Sequence, residues 1–249
     1  MKVENVTVRI AHLYNDLMNL YGDSGNVKAL IKALESQGIE VHLEKISVDN
    51  EINFDEYDVF VIGSGTESNM LRCLHNLRMY KENVKNAIEK GKIFLCTGNA
   101  IEMFGKSITS MDGSLYNGID MFNFEVVQKK DRLVSEYLYS CSLINKHVIG
   151  FQNRSGIIDN YEFNLFEIVR GIGNDGENKM EGIHYKNFFG TYTIGPLLVR
   201  NPAFLKYFVR LIVGNKSVIL NDFPLELDEK AYDEFMNNHY PVYNIKKDF

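Results

Sequence analysis

Tryptophan is absent from this chain of 249 residues, and cysteine occurs only three times. The cysteines have no paired spacing, which is typical of reduced thiols in a cytoplasmic protein rather than of a disulfide framework. No CxxC, HExxH or histidine-rich cluster is present, so we expect no metal site, and we find no cofactor motif. No apolar run approaches the ~20 residues of a membrane-spanning helix, so we expect no membrane span.

Basic residues are also fewer than acidic ones. Lys and Arg number 27 against 33 Asp and Glu, which gives a formal net charge of −6 and argues against general affinity for nucleic acid. Hydrophobic residues make up 45% of the chain, and 16 Phe and 14 Tyr can fill a core without tryptophan. We expect one domain over residues 1–249, with a C-terminal helical extension at about 215–249.

Hydrophobic periodicity alternates between strand and helix over residues 6–105. Apolar strand patterns occupy residues 6–13, 39–43, 58–62 and 93–95. Helical spacing separates them, first from Val27 to a stop at Gly38 and then from Tyr80 to a stop at Gly91. This alternation predicts βαβ units and a mainly parallel sheet.

The second half of the chain has a different pattern. Strand patterns occupy residues 133–139, 147–151 and 188–198. A proline after Asn201 then opens a helix, and Asp228 is placed to cap a last helix, as Asp23 or Ser24 is placed to cap the first. Together the two halves predict an α/β fold with a mainly parallel central sheet and a β-rich second half.

In an open α/β sheet, functional sites form at the carboxyl ends of the strands. The Gly-x-Gly after the strand at 58–62 is not followed by a phosphate-loop motif, so a tight turn is its plainest interpretation. Residues 96–100 form a strand-turn-helix junction of the kind that holds a nucleophile above a helix N-terminus. Cys96 in that junction is either a reactive thiol or a small buried residue, and both interpretations stay open.

Several segments together resemble a known family. They are residues 17–26, 54–58, 61–63, 131–133, 150–153, 181–187 and 190–198. These segments resemble the glutaminase subunits of lipid II isoglutaminyl synthase, which are class I, cobyric-acid-synthase-like glutamine amidotransferases. The resemblance implies a flavodoxin-like amidotransferase fold in a cytoplasmic protein. It also implies a Mur-ligase-like partner subunit, and glutamine or a related small molecule as ligand.

The chemistry that the resemblance implies needs a cysteine in the elbow and a histidine after the Gly-Thr-Tyr strand. Counting back from residues 103–105 without a gap places the nucleophile position at Gly98, and the histidine position falls on Ile194. Glycine has no side chain and isoleucine cannot accept a proton, so both groups are missing. A two-residue gap would instead make Cys96 the nucleophile, but it would not restore the histidine.

Further residues are candidates for ligand binding. In chain order they are Gly63, Gly65, Asn99, Arg132 and Asn153. Arg132 matches a family arginine associated with glutamine recognition, and a surface arginine is an equal alternative. Asn153 is expected at a strand-end turn, and Asn99 either binds a ligand or caps the turn. The loop after Gly63 departs from the three glycines of the family because Ser64 stands in it.

Three functions follow from these observations. The first is a catalytically degenerate amidotransferase-like subunit that binds a Mur-ligase-like protein in peptidoglycan precursor modification. We prefer it because the two catalytic groups are missing from separate segments. The second is an active glutaminase that uses Cys96, and the third is an enzyme of another class in the same cleft.

Overall fold

The structure is a computed structural model that describes residues 6–214 and 220–243. These residues form two six-stranded β-sheets. The strands are β1 (Thr7–Leu13), β2 (Glu40–Ile46), β3 (Val59–Ile62), β4 (Ile93–Thr97), β5 (Ser107–Thr109), β6 (Leu115–Asn117), β7 (Glu125–Ser140), β8 (Val148–Asp159), β9 (Phe166–Arg170), β10 (Met180–Glu181), β11 (Ile183–Tyr185) and β12 (Phe188–Thr191). The α-helices are α1 (Ser24–Glu35), α2 (Glu67–Leu77), α3 (Lys81–Glu89), α4 (Leu197–Arg200), α5 (Pro202–Gly214) and α6 (Glu226–His239).

The first sheet has the strand order β11-β12-β4-β3-β1-β2. Strands β2, β1, β3, β4 and β12 are parallel, and the edge strand β11 is antiparallel. Counted in chain order, the five parallel strands have the 2-1-3-4-5 order of flavodoxin-like folds. The strands predicted at residues 6–13, 58–62 and 93–95 therefore lie in one mainly parallel sheet, and the predicted fold class is confirmed.

Central strands of this sheet are buried on both faces. Phe60 and Phe94 stack with ring centroids 4.6 Å apart in the core beneath α2 and α3. Val59 and Val61 face the opposite core, which α1 and α5 cover. Because successive side chains of a strand point to opposite faces, burial on both faces requires the continuous apolar run seen in the sequence.

The second sheet is inserted between β4 and β12 and is built around β7. Strands β8 and β9 pair with β7 antiparallel, and β5 pairs parallel with its first residues. Strand β7 has 16 residues and β8 has 12, so both extend beyond the strands predicted at 133–139 and 147–151. An isolated antiparallel bridge from Ile194 to Phe151 connects the second sheet to the turn after β12.

The prediction of one strand over residues 188–198 is wrong in its second half. Strand β12 ends at Thr191, and α4 begins a few residues later. The backbone N–H of Thr193 donates to Thr191 Oγ1 at 3.0 Å, so it is not available to a neighbouring strand. Gly195 has a φ of +76°, a conformation that glycine adopts without strain, and the chain turns there.

Two helix starts differ from the predicted caps. Asp23 directly precedes α1, but its side chain makes no capping hydrogen bond. Asn19 Oδ1 accepts instead from the backbone N–H of Ser24 at 2.8 Å. Helix α6 begins before Asp228, which lies in its first turn. The Asp23 cap fails because its carboxylate accepts other hydrogen bonds, as described below.

The segment after β3 contains a helix that sequence analysis does not predict. Helix α2 begins after Thr66, whose hydroxyl accepts from the backbone N–H of Asn69 at 3.1 Å. A threonine at the N-cap position is the sequence signal that marks it. The helix expected near Asn99 is a 3₁₀ helix, Gly98–Phe104.

The C-terminal extension predicted at about 215–249 is covered only in part. Helix α6 belongs to it, whereas residues 215–219 and 244–249 lie outside the described residues. The extension and the single-domain organisation therefore stay predictions. Within residues 6–214 and 220–243, no helix is both long enough and apolar enough to cross a membrane.

A network of buried polar side chains joins the two sheets around Arg154 of β8. The Arg154 side chain is buried, and its guanidinium lies over the ring of Tyr192, 4.3 Å from the centroid. Its Nε donates to Gln152 Oε1 at 3.0 Å. The other nitrogens donate to the backbone carbonyls of Gly156, Gly173 and Asn174. These bonds satisfy a charge that would otherwise be very costly to bury.

Two buried glutamates flank this arginine. Glu102 accepts from Gln128 Nε2 at 3.0 Å and from the Tyr192 hydroxyl at 3.3 Å. Glu181 accepts from the Tyr192 backbone N–H at 2.7 Å and from the Thr191 hydroxyl at 2.8 Å. Burial raises the pKa of each carboxyl to about 7, because the hydrogen bonds offset the lost hydration only in part.

Replacing Glu102 by Gln should weaken the dependence of stability on pH. Its pKa of about 7 in the folded state lies above the ordinary 4.5, so the native protein binds more protons than the unfolded chain between these values. The free energy of unfolding therefore falls as pH rises through this window. In Glu102→Gln, the free energy of unfolding measured with urea should fall less over this pH range, by at most about 3 kcal/mol.

The matched control is Glu125→Gln, which changes an exposed glutamate of β7. This control should keep the pH dependence of the wild type. If Glu102→Gln also kept it, the proposed titration of the buried carboxyl would be wrong.

Candidate functional site

A cleft lies at the carboxyl edge of the first sheet, where the loops after β1, β3, β4 and β12 meet β7 and β8. Residues that line it include Ser64, Gly65, Gly98, Asn99, Arg132 and Ile194. The space left for water-sized molecules is only about 10 Å³, which is room for about one water.

Gly98 and Ile194, which the resemblance assigns to the nucleophile and histidine positions, meet in this cleft. Gly98 follows β4 directly and has a φ of +60°, as expected of a sharp strand-to-helix turn. A Cβ atom built on Gly98 would lie 3.1 Å from Ile194 Cγ2. Side chains at these two positions would therefore be in contact, but glycine and isoleucine supply neither a nucleophile nor a base.

Ser64 fills the space beside Gly98. A Cβ atom on Gly98 would overlap the Cβ of Ser64. The Ser64 hydroxyl donates to Asp23 Oδ2 at 2.7 Å, and the Thr97 hydroxyl donates to Asp23 Oδ1 at 2.7 Å. The fully buried Asp23 thus links the loop after β1 to the ends of β3 and β4. No local sequence signal marks this role, because the two partners lie 41 and 74 residues away along the chain.

Cys96 lies within β4 and does not line the cleft. Its side chain is fully buried in the core beneath α2 and α3. Burial raises the pKa of the Cys96 thiol well above its ordinary value. A thiol of this kind is a poor nucleophile, because the attacking species is the thiolate. Cys73 and Cys141 are buried as well.

Asn99 and Gly65 bind each other across the cleft. Asn99 Oδ1 accepts from the backbone N–H of Gly65 at 3.0 Å, and Asn99 Nδ2 donates to the Gly65 carbonyl at 2.9 Å. The Asn99 amide therefore holds the loop after β3 and is not left open for a ligand. Gly63 does not line the cleft, and the backbone of Met18 and the side chain of Asp23 leave no room for a Cβ there.

Arg132 extends from β7 into the cleft and is held by two other elements. Its Nη1 donates to Glu67 Oε1 at 2.5 Å, and its Nε donates to Asn153 Oδ1 at 2.6 Å. The Ser155 hydroxyl donates to the same Glu67 oxygen at 2.9 Å. Burial alone would raise the pKa of Glu67, but the hydrogen bonds from Arg132, its own backbone and Ser155 outweigh burial and lower the pKa. Arg132 is therefore paired with a carboxylate that the chain itself supplies.

Asn153 lies within β8, so the expected strand-end turn at this position is wrong. The strand continues to Asp159 because β7 is long enough to pair with it, through an irregularity between Gln128 and Leu133. Asn153 and its neighbour Gln152 have different partners, because successive side chains of a strand point to opposite faces. Asn153 contacts Arg132, whereas Gln152 Nε2 donates to the Tyr139 hydroxyl at 2.9 Å.

No group of three or more His, Cys, Asp or Glu side chains in residues 6–214 and 220–243 is arranged to hold a metal ion. His184, in a segment of the resemblance, lies on β11 and stacks on Phe189 with centroids 4.7 Å apart. Burial lowers the pKa of His184.

Comparisons with known proteins give relatives over most of the chain. The chain is 32% identical to the lipid II isoglutaminyl synthase (glutamine-hydrolyzing) subunit GatD of Staphylococcus aureus, over 89% of this chain and 90% of that protein. It is 28% identical to the corresponding GatD subunit of Streptococcus pneumoniae, over 97% of this chain and 94% of that protein.

A solved structure and a family model agree with the observed fold. A crystal structure of a glutamine amidotransferase superposes with a TM-score of 0.50 at 13% identity, over 81% of this chain and 98% of that one. This likeness concerns the fold alone. Residues 9–202 match the model of the CobB/CobQ-like glutamine amidotransferase domain. From this match and from the relative in Staphylococcus aureus, the chain belongs to the family of CobB/CobQ-like glutamine amidotransferase domains.

Proposed function

We propose that this chain is the amidotransferase-like subunit of a system that amidates a peptidoglycan precursor, and that it does not hydrolyse glutamine. The observation that supports this most directly is the contact between the Gly98 and Ile194 positions in the cleft. Two sequence positions found independently become neighbours in space, as a nucleophile and its base must be. Both have lost the groups that the reaction needs.

Glutamine hydrolysis needs a nucleophile that attacks the side-chain amide and a group that moves the proton. Gly98 has no side chain, and Ile194 carries no titratable atom. The nearest thiol in sequence, Cys96, has a raised pKa and is fully buried. The pairing of Arg132 with Glu67 also favours a site that takes no substrate.

A subunit that lacks the catalytic groups is retained because it binds a partner protein. The relatives of this chain in Staphylococcus aureus and Streptococcus pneumoniae are named as subunits of lipid II isoglutaminyl synthase. The partner that we propose is a Mur-ligase-like subunit that activates and amidates the precursor. In that arrangement this chain stabilises or positions the ligase, and the ammonia comes from another source.

Wild-type protein should release no ammonia from glutamine above the buffer rate, with or without the ligase subunit. Cys96→Ala should leave this result unchanged, and Cys73→Ala is the matched control at another buried cysteine. Ammonia release measured by a coupled dehydrogenase assay tests the prediction. Robust turnover that disappears in Cys96→Ala, but not in Cys73→Ala, would establish an active glutaminase that uses Cys96.

The ligase subunit should co-purify with this chain at micromolar concentration. The complex should then amidate lipid II when it is given an ammonium salt and should fail to do so when it is given glutamine. The ligase alone, given the same ammonium salt, is the control for the contribution of this chain. Absence of a complex in size-exclusion chromatography would contradict the binding role, whatever the result of the glutaminase assay.

A further inference from the structure

We propose that Ser64 occupies the volume of the missing nucleophile, so that a side chain at position 64 and one at position 98 exclude each other. The proposal rests on the function proposed above, because it concerns why the degenerate cleft cannot accept a thiol by one substitution. Ser64 thereby becomes a third residue, with Gly98 and Ile194, that determines whether this cleft can hydrolyse an amide.

The steric overlap between positions 64 and 98 is fixed by the backbone. The overlap involves the Cβ of Ser64 and a Cβ on Gly98, and neither atom moves with a side-chain rotamer. Both residues lie just beyond paired strands, since Ile62 of β3 pairs with Cys96 of β4, Ser64 is the second residue after β3, and Gly98 is the first after β4. Relief of the overlap would require a shift of one loop against the other.

Hydrogen bonds hold the Ser64 loop in place. The Ser64 hydroxyl donates to the buried Asp23 carboxylate at 2.7 Å, and the Ser64 carbonyl accepts from the backbone N–H of Leu20 at 2.9 Å. The Asn99 amide fixes the next residue of the loop, Gly65, through two bonds. Moving Ser64 away from Gly98 would break bonds in a buried site, where an unsatisfied group is costly.

The same geometry shows what an open site would need. With glycine at position 64, the overlap with a Cβ at position 98 would be removed, and position 194 would still be in contact with that Cβ. Restoration of hydrolysis therefore needs three substitutions. The pair Gly98→Cys and Ile194→His would supply both chemical groups but leave them in an overpacked cleft.

A double-mutant cycle in thermal stability tests the exclusion directly. The variants are Gly98→Cys, Ser64→Gly and their combination. Gly98→Cys should lower Tm in the Ser64 background by roughly 4–8 °C more than it does in the Ser64→Gly background. The control is Gly38→Cys, because Gly38 has a φ of +74° and open space around it, so it shows the effect of left-handed strain without overlap. An equal loss at Gly98 in both backgrounds would overturn the proposal.

Activity provides the second measurement. The triple variant Ser64→Gly, Gly98→Cys, Ile194→His should release ammonia from glutamine at least about tenfold faster than Gly98→Cys, Ile194→His, since proton transfer contributes ~10²–10⁴-fold once the groups are in place. A double variant as active as the triple would contradict the proposal. If the proposed function were wrong, the wild-type protein itself would release ammonia from glutamine. That result differs from equal activity of the double and triple variants, so the two failures are distinguishable.

Discussion

The joint between the two sheets depends on the hydrogen bonds and the ring contact of the buried Arg154 guanidinium. The guanidinium donates to side-chain and backbone acceptors of the second sheet and lies over Tyr192, which follows the last strand of the first sheet. Removal of one partner from such a network leaves a buried charge unpaired, which is far more costly than the net value of the bonds. The position of the turn that contains Ile194, and hence the shape of the cleft, is set by this joint.

Polar groups of the cleft are paired with one another. Arg132 has Glu67, Asp23 has Ser64, and the Gly65 N–H has the Asn99 side chain. A site that awaits a polar ligand must leave some donors and acceptors for that ligand to bind. Among the described residues, the buried side-chain atoms that lack a partner are His12 Nε2, Asn26 Nδ2 and the Tyr137 hydroxyl, and none of these residues lines the cleft. A ligand could bind the paired groups named here only by displacing one of the partners.

The sequence predicts the first sheet well because its signals are local. Continuous apolar runs at 58–62 and 93–95 reflect burial on both faces, and a run of this kind has few other interpretations. The second half is predicted less well. The extent of β7 and β8 depends on their mutual pairing, and the end of β12 depends on a side-chain acceptor at Thr191 and on the φ of Gly195. The pairing of two distant strands and a turn fixed by single residues both leave no periodic pattern in the sequence.

The site residues likewise divide into those that can be predicted from the sequence and those whose contacts join distant parts of the chain. Gly98 and Ile194 could be identified by counting along matched segments, and so could Arg132. The pairing of Arg132 with Glu67 joins residues 65 positions apart, and the overlap of Gly98 with Ser64 depends on two loops whose approach is visible only in three dimensions. A sequence pattern therefore identified positions 98 and 194 but not Ser64, which lies against position 98.

The insertion of the second sheet between β4 and β12 has a consequence for how the chain folds. Phe188 pairs with Phe94, so the first sheet becomes complete only when two segments 94 residues apart come together. Closing so long a segment before any contact is gained is unfavourable in entropy, and parallel pairing across it is slow. Strands β1 to β4 are joined by shorter connections than this, so we expect them to associate before β12 pairs with β4. We therefore expect the cleft, which needs the turn after β12, to be among the last parts of the molecule to form.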